Sequence, residues 1–133
     1  MRVLIVNTSE STGGAAVAAH RLMEALNNNG VKAKMLVAEK HSDSISVVGM
    51  QRHLAARWHF LWERWCIFCH LMFSRQHLFD IDMANSGFDI THTPEFKEAD
   101  VVHLHWVNQG MLSLKSVRKI LRSGKPVVWT MHD

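Results

Sequence analysis

A-D-V-V-H-L-H-W (Ala99–Trp106) and G-K-P-V-V-W-T-M-H-D (Gly124–Asp133) are the stretches that decide the fold. In the first, Val101, Val102, Leu104 and Trp106 alternate with histidines. In the second, Pro126–Met131 is short, mostly apolar and rich in β-branched residues. Between them Leu112, Leu114, Val117, Ile120 and Leu121 recur at helical spacing. Strand, helix, strand is the crossover that a parallel pair requires. His103 and His105 lie near the end of the first strand, His132 and Asp133 at the end of the second. In open α/β sheets ligands bind outside the carboxyl ends of strands, so these residues are placed to meet a substrate.

The amino terminus repeats the pattern. Val3-Leu4-Ile5-Val6 reads as a strand buried on both faces. A polar loop, Thr8–Thr12, and Gly13-Gly14 lead into a predicted helix, Ala15–Asn29. Ala15, Ala18, Ala19, Leu22, Met23 and Leu26 fall on one of its faces, and Gly30 stands where a helix-ending glycine belongs. Lys32–Ala38 reads as the next strand. Two readings of Gly13-Gly14 stand side by side. A helix amino terminus without Cβ atoms lets an anion approach the partly positive amides; alternatively, the glycines serve only close helix–strand packing. Neither G-x-G-x-x-G nor G-x-x-x-x-G-K-[ST] is present.

Length and composition fit one domain with a real core: 133 residues, 47% apolar and 20% charged. The longest apolar runs are Ala15–Ala19 and Trp65–Cys69, far short of the roughly 20 residues that span a bilayer. No signal-peptide pattern follows Arg2. With two cysteines, a reducing cytoplasm is expected, and the net charge of +3 gives no case for nucleic-acid binding. Cys66 and Cys69 lack the second ligand pair of a structural zinc site, so both read as small hydrophobes.

The middle departs from simple alternation. Ile45–Val48 reads as a third strand, Gln51–Phe73 as one long helix, and Leu78–Pro94 as a loop with a short strand at Phe88–Thr91. Leu54, Trp58, Leu61, Trp62, Trp65, Phe68, Cys69 and Met72 stripe the helix. Within Gln51–Phe79, Arg52, Arg57, Arg64 and Arg75 stand against Glu63 alone. Such a stripe packs on the sheet or on a neighbouring subunit, or it lies at an anionic membrane surface. Trp106 and Trp129 are expected in the core.

His-x-His followed by His-Asp opens a metal reading as well as a substrate-contacting one. A metal-dependent hydrolase would use His103, His105, His132 and Asp133; a non-catalytic α/β binding module would use the Trp-rich helix.

Three stretches taken together, V-L-I-V-N-T-S-E-S-T-G-G-A, A-D-V-V-H-L-H-W and G-K-P-V-V-W-T-M-H-D, resemble the amino-terminal domain of retaining GT-B glycosyltransferases of family 4, the glycogen-synthase-like group. The likeness covers both ends of the chain and leaves the Trp-rich middle aside. It implies a Rossmann-like three-layer α/β domain with a mainly parallel sheet, forming one half of a GT-B fold. Residues 1–133 would be the acceptor-side domain, with a helical insertion at about 51–98. It implies transfer of a sugar, with retention, from a nucleotide-sugar donor to a glycan or lipid-linked acceptor, in polysaccharide or surface-glycan biosynthesis. Gly13 and Gly14 would approach the donor diphosphate and the acceptor. His132 would contact the donor sugar near the reacting carbon, flanked by Asp133, and His105 would line the acceptor side. No metal and no other cofactor is implied. The family's donor-binding half has no counterpart here, so the chain alone is expected to be inactive. Self-association is a further expectation if the Trp-rich face is left uncovered.

Overall fold

A computed structural model describes residues 1–50, 53–70 and 87–132. Five strands form one parallel sheet: β1 (Arg2–Val6), β2 (Lys32–Val37), β3 (Val47–Gly49), β4 (Val101–Leu104) and β5 (Val127–Trp129), in the order β3-β2-β1-β4-β5. Successive side chains of a strand point to opposite faces, and β1 uses both. Val3 and Ile5 join Ala19, Met23, Met35 and Val47 in one core cluster. Leu4 and Val6 join Phe96, Val102, Leu104, Met111 and Ile120 in the other. Helix α1 (Gly14–Asn28) therefore covers one face, while α3 (Pro94–Glu98) and α4 (Leu114–Arg122) cover the opposite one. The chain is a Rossmann-like three-layer α/β fold.

Local chemistry sets the helix ends. Thr93 accepts from the Phe96 amide at the start of α3, where Pro94 occupies the first turn. Ser113 accepts from the Ser116 amide at the start of α4. Gly30, at φ 82°, ends α1 as expected.

Several expectations change. Phe88–Thr91 is not a strand: Asp89 accepts from the Thr91 amide and hydroxyl, turning Ile90–His92 into a 3-10 helix. Phe88, Ile90 and Phe96 enter the core from this stretch. In α1 the buried positions are Ala16, Ala19 and Met23, and Ala18 is exposed. In α4, Leu114 and Leu121 face outward and Ile120 carries the packing. Trp129 is 44% exposed, because β5 is the sheet's edge strand.

The largest change is in α2 (His53–His70). Trp58, Leu61, Trp62 and Trp65 are all exposed, whereas Glu63, Arg64 and Ile67 are buried. Glu63 accepts from the Arg64 guanidinium at 2.7 Å, and that guanidinium lies 5.4 Å from the Phe60 ring centre. The predicted stripe exists, and it does not pack on the sheet. Its flanking positions Gln51, Arg52 and 71–86 lie outside the described residues.

Candidate functional site

The strand order reverses direction between β1 and β4, and the crevice beyond their carboxyl ends is where such folds bind ligands. The loops that leave these strands are tied together. Buried Asn7 donates to the Ser9 carbonyl and accepts from the Trp106 amide at 2.9 Å. The Thr8 amide and hydroxyl donate to the Trp106 carbonyl, and that hydroxyl also reaches the Asn108 carbonyl. Both loops thus hold their shape against the sheet.

His105 is buried at this edge. Its amide donates to the Val6 carbonyl at 2.9 Å, and its carbonyl accepts from the Trp129 indole N–H at 3.2 Å. Its Nδ1 lies 3.0 Å from His132 Nε2, with the two rings stacked. The His105 Nε2 is buried without a hydrogen-bond partner. A proton there would be an orphaned donor, the costlier state, so the proton belongs on Nδ1 and is donated to His132. His132, half-buried, then carries its own proton on Nδ1 and presents it as a donor. His103 bonds Thr130 Oγ1 at 2.8 Å and stacks obliquely on His105, with centroids 4.4 Å apart. Burial first, then the charges of His103 and His132, push the His105 pKa down to about 4. Burial, followed by His132, lowers that of His103 as well.

The glycine loop lies on the same carboxyl edge. Gly13 adopts φ 90°, ψ 164°, a region essentially reserved for glycine. Gly14 begins α1, and a Cβ at either glycine would meet nothing within 4 Å. Close packing is therefore not what these glycines serve. The start of α1 has neither a side-chain cap nor an acidic residue in its first turn. It is an open, partly positive helix end.

A cleft of about 400 Å³ opens on the same edge of the sheet, lined by Thr8, Ser9, Glu39, His41, Phe60 and Gln109 among others. Gln109 has φ 61°, the one non-glycine residue with positive φ among the described residues, and such strain gathers at working loops. Glu10 is buried nearby and accepts from the His41 and Ser42 amides and the Ser42 hydroxyl. Burial raises its pKa, but these hydrogen bonds and the His41 charge outweigh that and leave it lowered.

Of the predicted site residues, the structure joins His105 to His132 directly and places Gly13 and Gly14 on the same edge, linked through the Asn7, Thr8 and Trp106 bonds. Asp133 lies outside the described residues. Among the described residues no group of three histidine, cysteine or acidic side chains is arranged to hold a metal ion. The ring nitrogens of His105 and His132 face each other instead of a common point. Sequence reasoning missed Asn7, Thr8, Glu10 and Gln109. Asn7 and Thr8 follow β1 directly and could have been found by the strand-end rule; Glu10 meets a partner 32 positions away, which no local pattern announces.

Compared with protein-family models, with curated proteins and with solved structures, the chain has no significant match.

Proposed function

We propose that this domain takes part in sugar transfer from a nucleotide-sugar donor to a glycan or lipid-linked acceptor. The observation that carries the proposal is the open, uncapped start of α1 at Gly13-Gly14, on the ligand-binding edge of a parallel sheet. Breaking an anomeric bond leaves negative charge on the departing diphosphate, and preorganised amides stabilise such charge without reorganising. His132, its tautomer set by His105, offers an N–H donor to a sugar hydroxyl and holds the ring in place. His105, expected to line the acceptor side, is buried, and on this reading serves the site by holding the His132 ring. On this reading Asp133 flanks the donor sugar, and the protein works in the cytoplasm, where the thiols of Cys66 and Cys69, not joined in a disulfide, stay reduced.

The test is calorimetric titration with a panel of nucleotide sugars, followed by donor consumption with free and lipid-linked sugar acceptors. Saturable binding of at least one nucleotide sugar, with turnover, is expected where this domain is joined to a donor-binding half, and no turnover from residues 1–133 alone. In a preparation that turns over, His132→Ala should lower turnover by roughly a hundredfold and donor affinity by less than tenfold. Undiminished turnover removes His132 from the site, and no donor binding in the presence of a donor-binding half removes the proposal.

A further inference from the structure

The loops that leave β1, β2 and β4 wall the cleft on the carboxyl edge, and they are fastened to one another. Thr8 bonds the Trp106 and Asn108 carbonyls, and its own carbonyl accepts from the Ala38 amide at 3.1 Å. Ser9 and Glu39 pair in a parallel bridge beyond the strand ends. Helix α2, like every helix among the described residues neither long nor apolar enough to cross a membrane, supplies the remaining wall through Phe60 and Leu61. The Arg64 guanidinium, buried against Glu63, lies over the Phe60 ring at 5.4 Å from its centre, so the buried ion pair steadies that ring. The cleft is therefore formed before a ligand arrives, which spares the ligand an ordering cost. Its volume, about 400 Å³, lies in the range of roughly 300–1,000 Å³ that small-molecule sites occupy.

The lining selects the occupant. The Glu39 carboxylate accepts hydrogen bonds, and the Gln109 amide both donates and accepts. Ser9 Oγ accepts from the Thr12 amide at 2.9 Å and has a hydrogen to donate. Phe60 and Leu61 set an apolar surface beside these groups. A ligand that matches both parts carries hydroxyls around its rim and an apolar C–H face, which describes a pyranose. Its C–H face gains dispersion and weak C–H contacts on an aromatic ring. Charge narrows the class further. An anionic ligand would meet Glu39 on the wall and Glu10 behind the His41 amide. The open start of α1 has the opposite preference. One edge of the sheet thus offers an anion one place and an uncharged ring another.

We propose that this cleft binds an uncharged saccharide, with one pyranose ring lying on Phe60 and its hydroxyls on Glu39 and Gln109. On the sugar-transfer reading that ring belongs to the acceptor. This role rests on that reading; the saccharide binding does not.

The experiment titrates the protein of residues 1–133 with uncharged hexoses, N-acetylhexosamines and their disaccharides, and with hexose phosphates. Calorimetry and saturation-transfer NMR are read in parallel. The expected result is saturable binding of at least one uncharged saccharide, at least roughly tenfold tighter than its phosphorylated form. Phe60→Ala and Glu39→Gln should each weaken that binding by roughly tenfold or more while circular dichroism is kept. If Phe60→Ala misfolds, Glu39→Gln and the phosphate comparison decide. Absence of saturable saccharide binding overturns the proposal. So does tighter binding of the phosphorylated sugar, or undiminished binding by either folded variant. Saccharide binding here, without donor binding once a donor-binding half is joined, leaves this inference standing and removes the sugar-transfer reading. Donor binding there without saccharide binding here does the reverse.

Discussion

Helix α1 turns Ala16, Ala19 and Met23 onto the sheet, whereas α2 turns Trp58, Trp62 and Trp65 outward and buries Glu63, Arg64 and Ile67. Both helices carry a visible apolar stripe. The difference is in what fixes their rotation. Helix α1 is held between two neighbouring strands, and Asn27 locks it by exchanging hydrogen bonds with the Ala33 amide and carbonyl of β2 at 2.9 and 3.1 Å. Helix α2 follows β3, the edge of the sheet, so no next strand dictates which side it shows. Periodicity locates a stripe; tertiary connection decides what covers it.

The strongest way to break this contrast is to unpair the ion pair. Glu63→Ala leaves the Arg64 guanidinium buried and short of its counter-charge, at an expected cost of about 3–5 kcal/mol. Met23→Ala, a cavity on the α1 face, should cost about 2–5 kcal/mol. Trp62→Ala, which removes a larger but half-exposed side chain, should cost less than either, about 1 kcal/mol. Urea unfolding of the three variants measures all of them. A Trp62→Ala loss as large as that of Met23→Ala would mean that the tryptophan face is packed, and the contrast would collapse.

The histidine edge supplies the next effect. The His105 pKa falls from 6.5 to about 4 in the folded protein, so between these values the unfolded chain binds the proton and the folded one does not. Stability is therefore full above pH 6.5 and is lost as pH falls toward 4, on the order of 3 kcal/mol. His103 acts in the same direction. Asp89, held at about 2 by hydrogen bonds from Lys119 first and then Thr91, loses its contribution only below its ordinary 3.8. The two acid limbs should thus separate. Unfolding free energies measured from pH 7 to pH 4 should fall in the unaltered protein and flatten in His105→Gln. A flat profile in both would show that the ring is not shielded from protonation.

The sheet was legible because Val3–Val6 and Val127–Trp129 are apolar runs and Val101–Leu104 is apolar but for His103, and each forms a strand in the parallel sheet. The helix between the last two strands was legible too, though not its buried face: Leu112 packs from the loop, which frees Leu114 to face solvent. The strand-end rule found His105 and His132 but not their mutual bond, because nothing in a sequence encodes the register that sets Leu104 beside Trp129. Glu63 and Arg64 are neighbours in the chain, yet their burial was hidden by the louder tryptophan pattern around them. The 3-10 turn at Ile90–His92 escaped because the apolar residues Phe88 and Ile90 mimic a strand while the Asp89 side chain redirects the backbone.

The smallest expected effect discriminates most finely between packing and binding. Gly13→Ala forces a Cβ into a backbone region that only glycine adopts readily, and should cost about 1–3 kcal/mol. Gly14→Ala meets nothing within 4 Å and replaces a helix-weakening residue with a helix former. Its stability should be unchanged, or higher by up to about 1 kcal/mol. If the open helix end serves an anion, this harmless Cβ stands where the ligand approaches, and calorimetry should show nucleotide-sugar affinity falling roughly tenfold while unfolding is not weakened. A Gly14→Ala protein that binds donor as well as before would leave Gly14 with neither a packing nor a binding reason. The anion site would then have to be sought among Thr8, Ser9 and His41, on the cleft side of the same edge.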